Sequence, residues 1–324
     1  MALGVTTNFS EAPSGIVRFA VTTARRESIM SLWGSYLEKG ILFPAEASSL
    51  RGKLFFSLSA GFGRVGRAAT LPLVQRQYRD RTYEFHPGSE LHHSYLFFQA
   101  LLPRLPSLTV VIEPPTEPPL IVYTDAAFWV DRNPSDQPGC GLEWLPDGSK
   151  LMGGLGSVVY DPRDRSVRVA YALPPWSVLL TSWRTDRKTY IAELEGIAAL
   201  GVYSTYPDLF AGRRAIHFID NTVALAALVH GYAGKPDLAK IVNVFYLQAA
   251  ALRTSVYLDW VPSKANIADL PSREALLELA FELRGLGWSP ADIHELRVPS
   301  VGEWHSPLES WIDRFERTDV SPPA

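Results

Sequence analysis

Cysteine is nearly absent: Cys140 is the single one among 324 residues. One thiol excludes an internal disulfide and a thiolate-built zinc site, and it fits a reducing compartment. No paired base accompanies Cys140, so no nucleophilic role is expected of it. Bilayer-spanning runs are missing too. The longest apolar stretches, such as Leu194 to Tyr203, are short or broken, here by Glu195. The opening MALGVTTNFSEAPSG lacks the basic-then-apolar order of a secretory signal. The expectation is an intracellular protein, cytoplasmic or nuclear, with no membrane partner. Charge of one sign is not in excess either: 31 Lys and Arg against 34 Asp and Glu leave a net charge of −3. Such a chain does not blanket nucleic acid in positive charge, and any contact of that kind is a local patch. What is present is an ordinary globular balance, 47% hydrophobic and 20% charged, which excludes full disorder. At roughly 150 residues per domain, the length suggests two domains.

Pro103, Pro106, Pro114, Pro115, Pro118 and Pro119 cluster in one stretch. Proline fixes φ and lacks an amide donor, so this stretch is expected to be neither helix nor central strand. It reads as a linker over 106–119 between two regions. The first, 1–105, reads as mainly helical after a short strand near Gly15–Ala20, with helices expected over 23–39, 45–58, 64–78 and 89–102. Between residues 51 and 81, seven arginines and lysines face a single acid, Asp80. Arg64 and Arg67, three apart, would share a helical face. Two readings stay open for that face: a solvated surface or a phosphate contact.

Beyond the linker the pattern changes. LIVYTDAAF, LGSVVY, VRVAYAL, AIHFID and SVYLDWV read as strands, and 187–203, 221–231 and 236–253 as helices. The order β-β-β-α-β-α-α-β followed by a helix suggests an α/β layer fold with a mixed sheet. Asp125 and Asp220 close two of the strands, and Asp269 follows the last through the loop PSKANIA. Glu193 lies on the helix after the third strand, with Glu195 an equal candidate for an inward position. Asp220 directly precedes a helix and could simply cap it. Strand ends that converge on one edge would gather these acids. Gathered carboxylates repel unless cations intervene, and hard divalent ions with oxygen ligands suit such a site. Two of them can activate water and stabilise a leaving oxygen in phosphodiester cleavage.

The segment Tyr123-Thr124-Asp125-Ala126 resembles the first-strand motif of type 1 ribonuclease H domains. Ala192-Glu193-Leu194 with Ala198-Ala199-Leu200 resembles their helix-borne glutamate motif. Phe218-Ile219-Asp220-Asn221 and Trp260-Val261-Pro262-Ser263-Lys264-Ala265-Asn266-Ile267-Ala268-Asp269 resemble the two later motifs, in the family's order. The resemblance covers about 120–275 and implies a ribonuclease H-like mixed five-stranded sheet flanked by helices, with 276–324 a C-terminal helical extension. It implies Asp125, Glu193, Asp220 and Asp269 as catalytic residues and ligands of two magnesium ions, manganese being an alternative. It also implies nucleic-acid contacts at Lys264, Asn266 and Asn221, and cleavage of the RNA strand of an RNA–DNA hybrid, told apart by its 2′-hydroxyls. Leu3-Gly4-Val5, Arg51-Gly52-Lys53-Leu54 and Phe62-Gly63-Arg64 resemble the palm end and thumb of retroelement reverse transcriptases. That resemblance implies a retrotransposon polyprotein with its polymerase portion as partner; Arg64 and Arg67 are candidate nucleic-acid contacts from the basic run itself. No Tyr-x-Asp-Asp occurs, so polymerase activity is not expected of this chain alone.

Two departures stand out. Ala126 and Ala127 replace the small glycine and the serine of many relatives, and Lys264 stands near the place of their loop histidine. A lysine, with an unperturbed pKa of about 10.4, shuttles protons poorly at neutral pH. The insert 128–153 is a candidate flap. The run GGLGS at 153–157 matches no phosphate-cradling pattern. Trp129, Trp144, Trp176 and Trp183 read as packing residues with base stacking as the alternative, and Trp304 and Trp311 as one docking helix face. The competing functions are a catalytically decayed binding or interaction module and a DNA nuclease or integrase-like enzyme.

Overall fold

The computed structural model describes residues 4–112, 116–134, 143–176, 179–180, 183, 189–288 and 290–300. Cys140, Trp304, Trp311 and the middle of the 128–153 insert lie outside the described residues. The strands are β1 (Val5–Asn8), β2 (Ile16–Val21), β3 (Leu108–Val111), β4 (Leu120–Asp131), β5 (Lys150–Asp161), β6 (Ser166–Ala172), β7 (Arg214–Ile219), β8 (Ser255–Trp260) and β9 (Pro290–Glu295). The longer helices are α1 (Thr23–Lys39), α2 (Pro44–Leu58), α3 (Leu71–Tyr78), α4 (Glu90–Arg104), α5 (Ile191–Thr205), α6 (Thr222–His230), α7 (Pro236–Ala251) and α8 (Leu276–Gly285). Two compact units result. Of the described residues, one holds those up to Thr116 together with His230–Arg253, the other Glu117–Val229 and those from Thr254 to Ser300.

In the first unit β2 is the centre of a three-stranded antiparallel sheet. Local chemistry sets the helix ends. The Thr22 hydroxyl accepts from the Arg25 N–H to start α1, and Gly40 ends it at φ 68°. The Glu46 carboxylate accepts from the Phe43 N–H at the start of α2, and the Ser89 hydroxyl from the His92 N–H at the start of α4. Trp33, Leu50, Leu54 and Phe98 are fully buried between the helices.

Three sequence expectations need correction here. The helix expected over 64–78 begins only at Leu71, because Gly63 and Gly66 sit at φ 60° and 79°, where a helix cannot continue. Arg64 and Arg67 therefore lie in turns, not on a helical face. The stretch 106–119 is not all linker: Leu108–Val111 pairs with Ile16–Phe19 as an edge strand, the one sheet position that flanking prolines tolerate. The domain expected over 120–275 is interrupted, since 230–253, with α7, clusters with the first unit.

The second unit is a mixed six-stranded sheet in the order β8-β7-β4-β5-β6-β9, flanked by helices. β4, β5 and β6 form an antiparallel meander, while β7 and β8 run parallel to β4. These five are the strands expected of a ribonuclease H-like sheet. The sixth, β9, runs parallel to β6. Residues 276–300 are thus part of this domain, not an appended extension. Leu279 and Leu283 of α8 pack on Val158, Val167 and Val169, and Trp288 stacks on Tyr160 with ring centres 4.5 Å apart. Apolar burial of this kind stabilises by roughly 25 cal/mol per Å². At the far end of β5, Arg213 grips Asp161 with Nη1 and Nη2 at 2.9 and 3.1 Å. Burial alone would raise the Asp161 carboxyl, but the hydrogen bonds from Arg213 and Arg163 outweigh it and hold it well below the usual carboxylate range. Among the described residues no helix is long and apolar enough to cross a membrane.

Candidate metal centre

Strand polarity builds the site. β4 and β7 are parallel, with Tyr123 opposite Phe218 in the last paired position. Asp125 and Asp220 each stand two residues further on: β7 has ended there, whereas β4 does not close at Asp125 as expected but runs on to Asp131 beside β5, with Asp125 opposite Gly156. The Ala126 N–H beyond that last pair hydrogen-bonds the carboxylate of Glu195, delivered by α5. Oxygens of Asp125, Glu195 and Asp220 all lie within 4.8 Å of one another. Asp125 and Glu195 are 4% and 2% exposed.

Burial pushes Asp125 up to about 7; Asp220 and Asp269 add to the rise, and the Ser272 hydroxyl opposes it. Glu195 is raised well above the carboxylate range by burial first and then by Asp125 and Asp220. Its Oε2 is buried without a hydrogen-bond partner. An orphaned carboxylate oxygen beside two further carboxylates is costly in a protein interior. An all-oxygen donor set of this kind fits a hard divalent cation, which would satisfy the orphan and cancel the repulsion. The residues present therefore fit a hard divalent cation.

The structure brings Glu195, and not the expected Glu193, into the acidic group. Two residues along a helix is a turn of about 200°, so the two glutamates cannot face one site. Glu193 is buried but lies outside the group of three and does not line the cleft they open into. That cleft encloses about 600 Å³, and its walls include Trp129, Asn221, Val223, Ser263, Asp269 and Arg273. Asp269 is thus at the site but not in the group: its Oδ1 accepts from Arg273 Nε at 2.7 Å. Arg273 is held charged by Asp269 and, more weakly, by Asp125 and Asp220.

A single helical turn, Asp269–Ser272, carries these groups against the sheet, and Ser272 Oγ donates to Asp125 Oδ2. The close approach needs glycine. A Cβ on Gly156 would meet Ser272 N at 2.5 Å and Ala268 O at 2.7 Å, and one on Gly154 would collide with the Ser272 carbonyl. The GGLGS run is therefore a seat for this turn, in keeping with its lack of a phosphate-cradling pattern.

The expected nucleic-acid contacts divide. Asn266 is 3% exposed, and its side chain is consumed inside the protein: Nδ2 donates to the Thr124 carbonyl at 3.0 Å, and Oδ1 accepts from the Ala268 N–H at 3.2 Å. It positions the site and is not available to a ligand. Asn221 lines the cleft while its Oδ1 caps α6, accepting from the N–H groups of Val223 and Ala224. Lys264 is exposed, in a turn next to Ser263. His217 faces inward, opposite Ile216 and Phe218 as the strand alternation predicts. It lies between Thr124 Oγ1 at 2.8 Å and Tyr203 Oη at 3.1 Å, and burial lowers its pKa to about 3, so it is a neutral brace under the site. Trp176 and Trp183 are buried, as packing residues should be, whereas Trp129 is 44% exposed at the cleft. Sequence reasoning missed Ser272 and Arg273. The signal was available: they stand three and four residues after Asp269, one helical turn on.

No family model matches the chain, and no curated protein matches it. Among solved structures, the chain is similar to the N-terminal RNase H domain of rv2228c from Mycobacterium tuberculosis, determined as a fusion with maltose binding protein. The two are 19% identical, the match covers 50% of this chain and 96% of that one, and the TM-score is 0.28.

Proposed function

We propose that this chain is a divalent-metal-dependent endonuclease that hydrolyses the RNA strand of an RNA–DNA hybrid, leaving a 3′-hydroxyl and a 5′-phosphate. The observation that carries the reading is the convergence of Asp125, Glu195 and Asp220, from two parallel strands and a helix, around an orphaned buried oxygen at one sheet edge. Magnesium is the proposed ion, with manganese as an alternative; when bound it supplies an activated water and neutralises phosphoryl charge. Asp125, Glu195 and Asp220 would hold it. Asp269 would be the ligand nearest a second ion, once its pairing with Arg273 is released. Ser272 fixes the Asp125 carboxylate, and Arg273 offers a cation to a scissile phosphate. Trp129 and Val223, both exposed on the cleft wall, present apolar surface to a nucleotide. The first unit is proposed to be the thumb-like part of a retroelement reverse transcriptase, a reading that rests on its sequence motifs.

The test is a cleavage assay with end-labelled substrates and magnesium. Cutting of the RNA strand in a hybrid, lost in Asp125→Asn and in Glu195→Gln, supports the proposal. Cutting of duplex DNA but not hybrid would move the chain to an integrase-like class. Hybrid binding with no metal-stimulated cutting would make it a binding module.

A further inference from the structure

The first unit contains a group of cations that the site above does not use. Arg51, on α2, and Arg67, in the turn before α3, lie over one ring, that of Phe55, at 4.9 and 5.9 Å from its centre. Arg64 joins them from the same turn. Its Nη1 donates to Tyr246 Oη at 3.1 Å, and its stem is packed against Gly231, where an added Cβ would come within 2.5 Å of Arg64 Cβ.

Among the described residues, no carboxylate lies within ion-pair distance of any of the three. Elsewhere in the same unit Arg18 has Glu11 and Arg76 has Asp80. The Nε atoms of Arg51 and Arg67 are buried without a partner. Burial, and then the neighbouring charge of Arg64, disfavour the charged form of Arg67.

This arrangement decides between the two readings left open by the sequence. A solvated arginine keeps its guanidinium in water and roams among rotamers. Here three guanidiniums are half-buried, held by a ring, a phenol and a glycine, and set beside one another with no acid to offset their repulsion. Such an array is unfavourable alone and favourable once an anion enters, because planar guanidiniums match phosphate oxygens with paired donors.

We propose that Arg51, Arg64 and Arg67 form a preorganised cradle for the phosphate backbone of a nucleic-acid duplex. The choice of nucleic acid over another polyanion rests on the nuclease reading of the second unit. A contact elsewhere on the same chain would raise the effective concentration of substrate at the cleft. Phosphate contacts of this kind carry no base information, so the binding would be independent of sequence and dependent on salt.

The experiment uses the full chain and a 20-base-pair RNA–DNA hybrid in EDTA, where cleavage is silent, and follows anisotropy across a salt series. Replacing all three by glutamine (Arg51→Gln, Arg64→Gln, Arg67→Gln) should weaken binding at least about tenfold at low salt and flatten the slope of log Kd against log salt by about 2–3. Restoring charge with three lysines should recover the slope. The melting temperature separates binding from scaffolding: relief of like-charge crowding should leave it unchanged or raised in the glutamine variant, whereas a scaffold role would lower it. Unchanged hybrid affinity in the glutamine variant overturns the proposal. So does loss of binding to anionic phosphatidylserine vesicles with hybrid binding intact. The two readings fail separately. A wild-type protein that cuts no hybrid but loses hybrid affinity in the glutamine variant keeps the cradle and removes the nuclease.

Discussion

The side-chain amide of Asn266 donates to the main-chain carbonyl of Thr124 at 3.0 Å, across 142 residues of sequence. The bond ties the loop that carries Asp269 to the strand that carries Asp125. Asn266→Ala would leave the Thr124 carbonyl and the Ala268 N–H unpaired in a buried place, at a cost of about 1–3 kcal/mol. Denaturant unfolding should register that loss, and an unchanged midpoint would mean the bond does not hold the loop.

The seat of the Asp269–Ser272 turn gives a sharper case. At Gly154 an added methyl has only backbone to push against, the Ser272 carbonyl, so the turn itself must move. Gly154→Ala is expected to fold less stably by about 1–3 kcal/mol, in the range of overpacked cores, and to lose metal affinity by moving Ser272 off Asp125. Gly212, where nothing lies within 4 Å of an added Cβ but φ is 70°, serves as the control: Gly212→Ala should cost stability through backbone strain alone and leave metal affinity unchanged. Calorimetric titration with manganese separates the two.

Metal-free stability should fall as pH rises. Asp125 has a folded pKa of about 7 against about 3.9 for an unfolded aspartate. Between these values the folded state binds more protons than the unfolded one, so stability is full below about pH 4 and is lost as pH climbs through 7. Glu195, raised for the same reason, acts in the same sense. Two groups act in the opposite sense. Asp161 does so only below about pH 4, because its pKa is depressed. His217, lowered to about 3 by burial, loses stability as pH falls below about 6.5, but between pH 8 and 5.5 that loss spans about one pH unit, less than Asp125 and Glu195 together supply. The melting temperature in EDTA should therefore be higher at pH 5.5 than at pH 8, and magnesium should close much of the gap. A flat profile would show that the carboxylates are not crowded.

Arg213 and Asp161 are a buried pair, each less than 10% exposed. Arg213→Met leaves the Asp161 charge with Arg163 alone, and a loss of about 3 kcal/mol is expected, in line with other broken buried pairs. Pairing it with Asp161→Leu should recover part of that loss. A single variant as stable as the parent would mean the pair is not part of the second unit's core.

The strands of the second unit were readable because β-branched and aromatic runs alternate with turn residues; Asp220 does follow directly on such a run, but β4 continues past Asp125 to Asp131. β9 was not: PADIHE has too few β-formers, and only the open edge of β6 recruits it. The glutamate assignment went to Glu193 because motif spacing counts residues, whereas a helix sorts them by angle, and Glu195 is the one turned to the sheet edge. Asn266 was legible as important but not in its role, since burial is a tertiary property. In the first unit, Gly63 and Gly66 were the visible warning that the helical pattern of 64–78 would break. The third cradle arginine, Arg51, was hidden because it is thirteen residues from Arg64 and meets that group only through Phe55.

The account depends on a cation held by Asp125, Glu195 and Asp220, and manganese anomalous diffraction from soaked crystals tests it most directly. The predicted result is an anomalous peak about 2.0–2.3 Å from oxygens of all three residues, abolished in Glu195→Gln and retained in Glu193→Gln. A peak that survives Glu195→Gln, or no peak at the sheet edge at saturating manganese, would contradict the central claim.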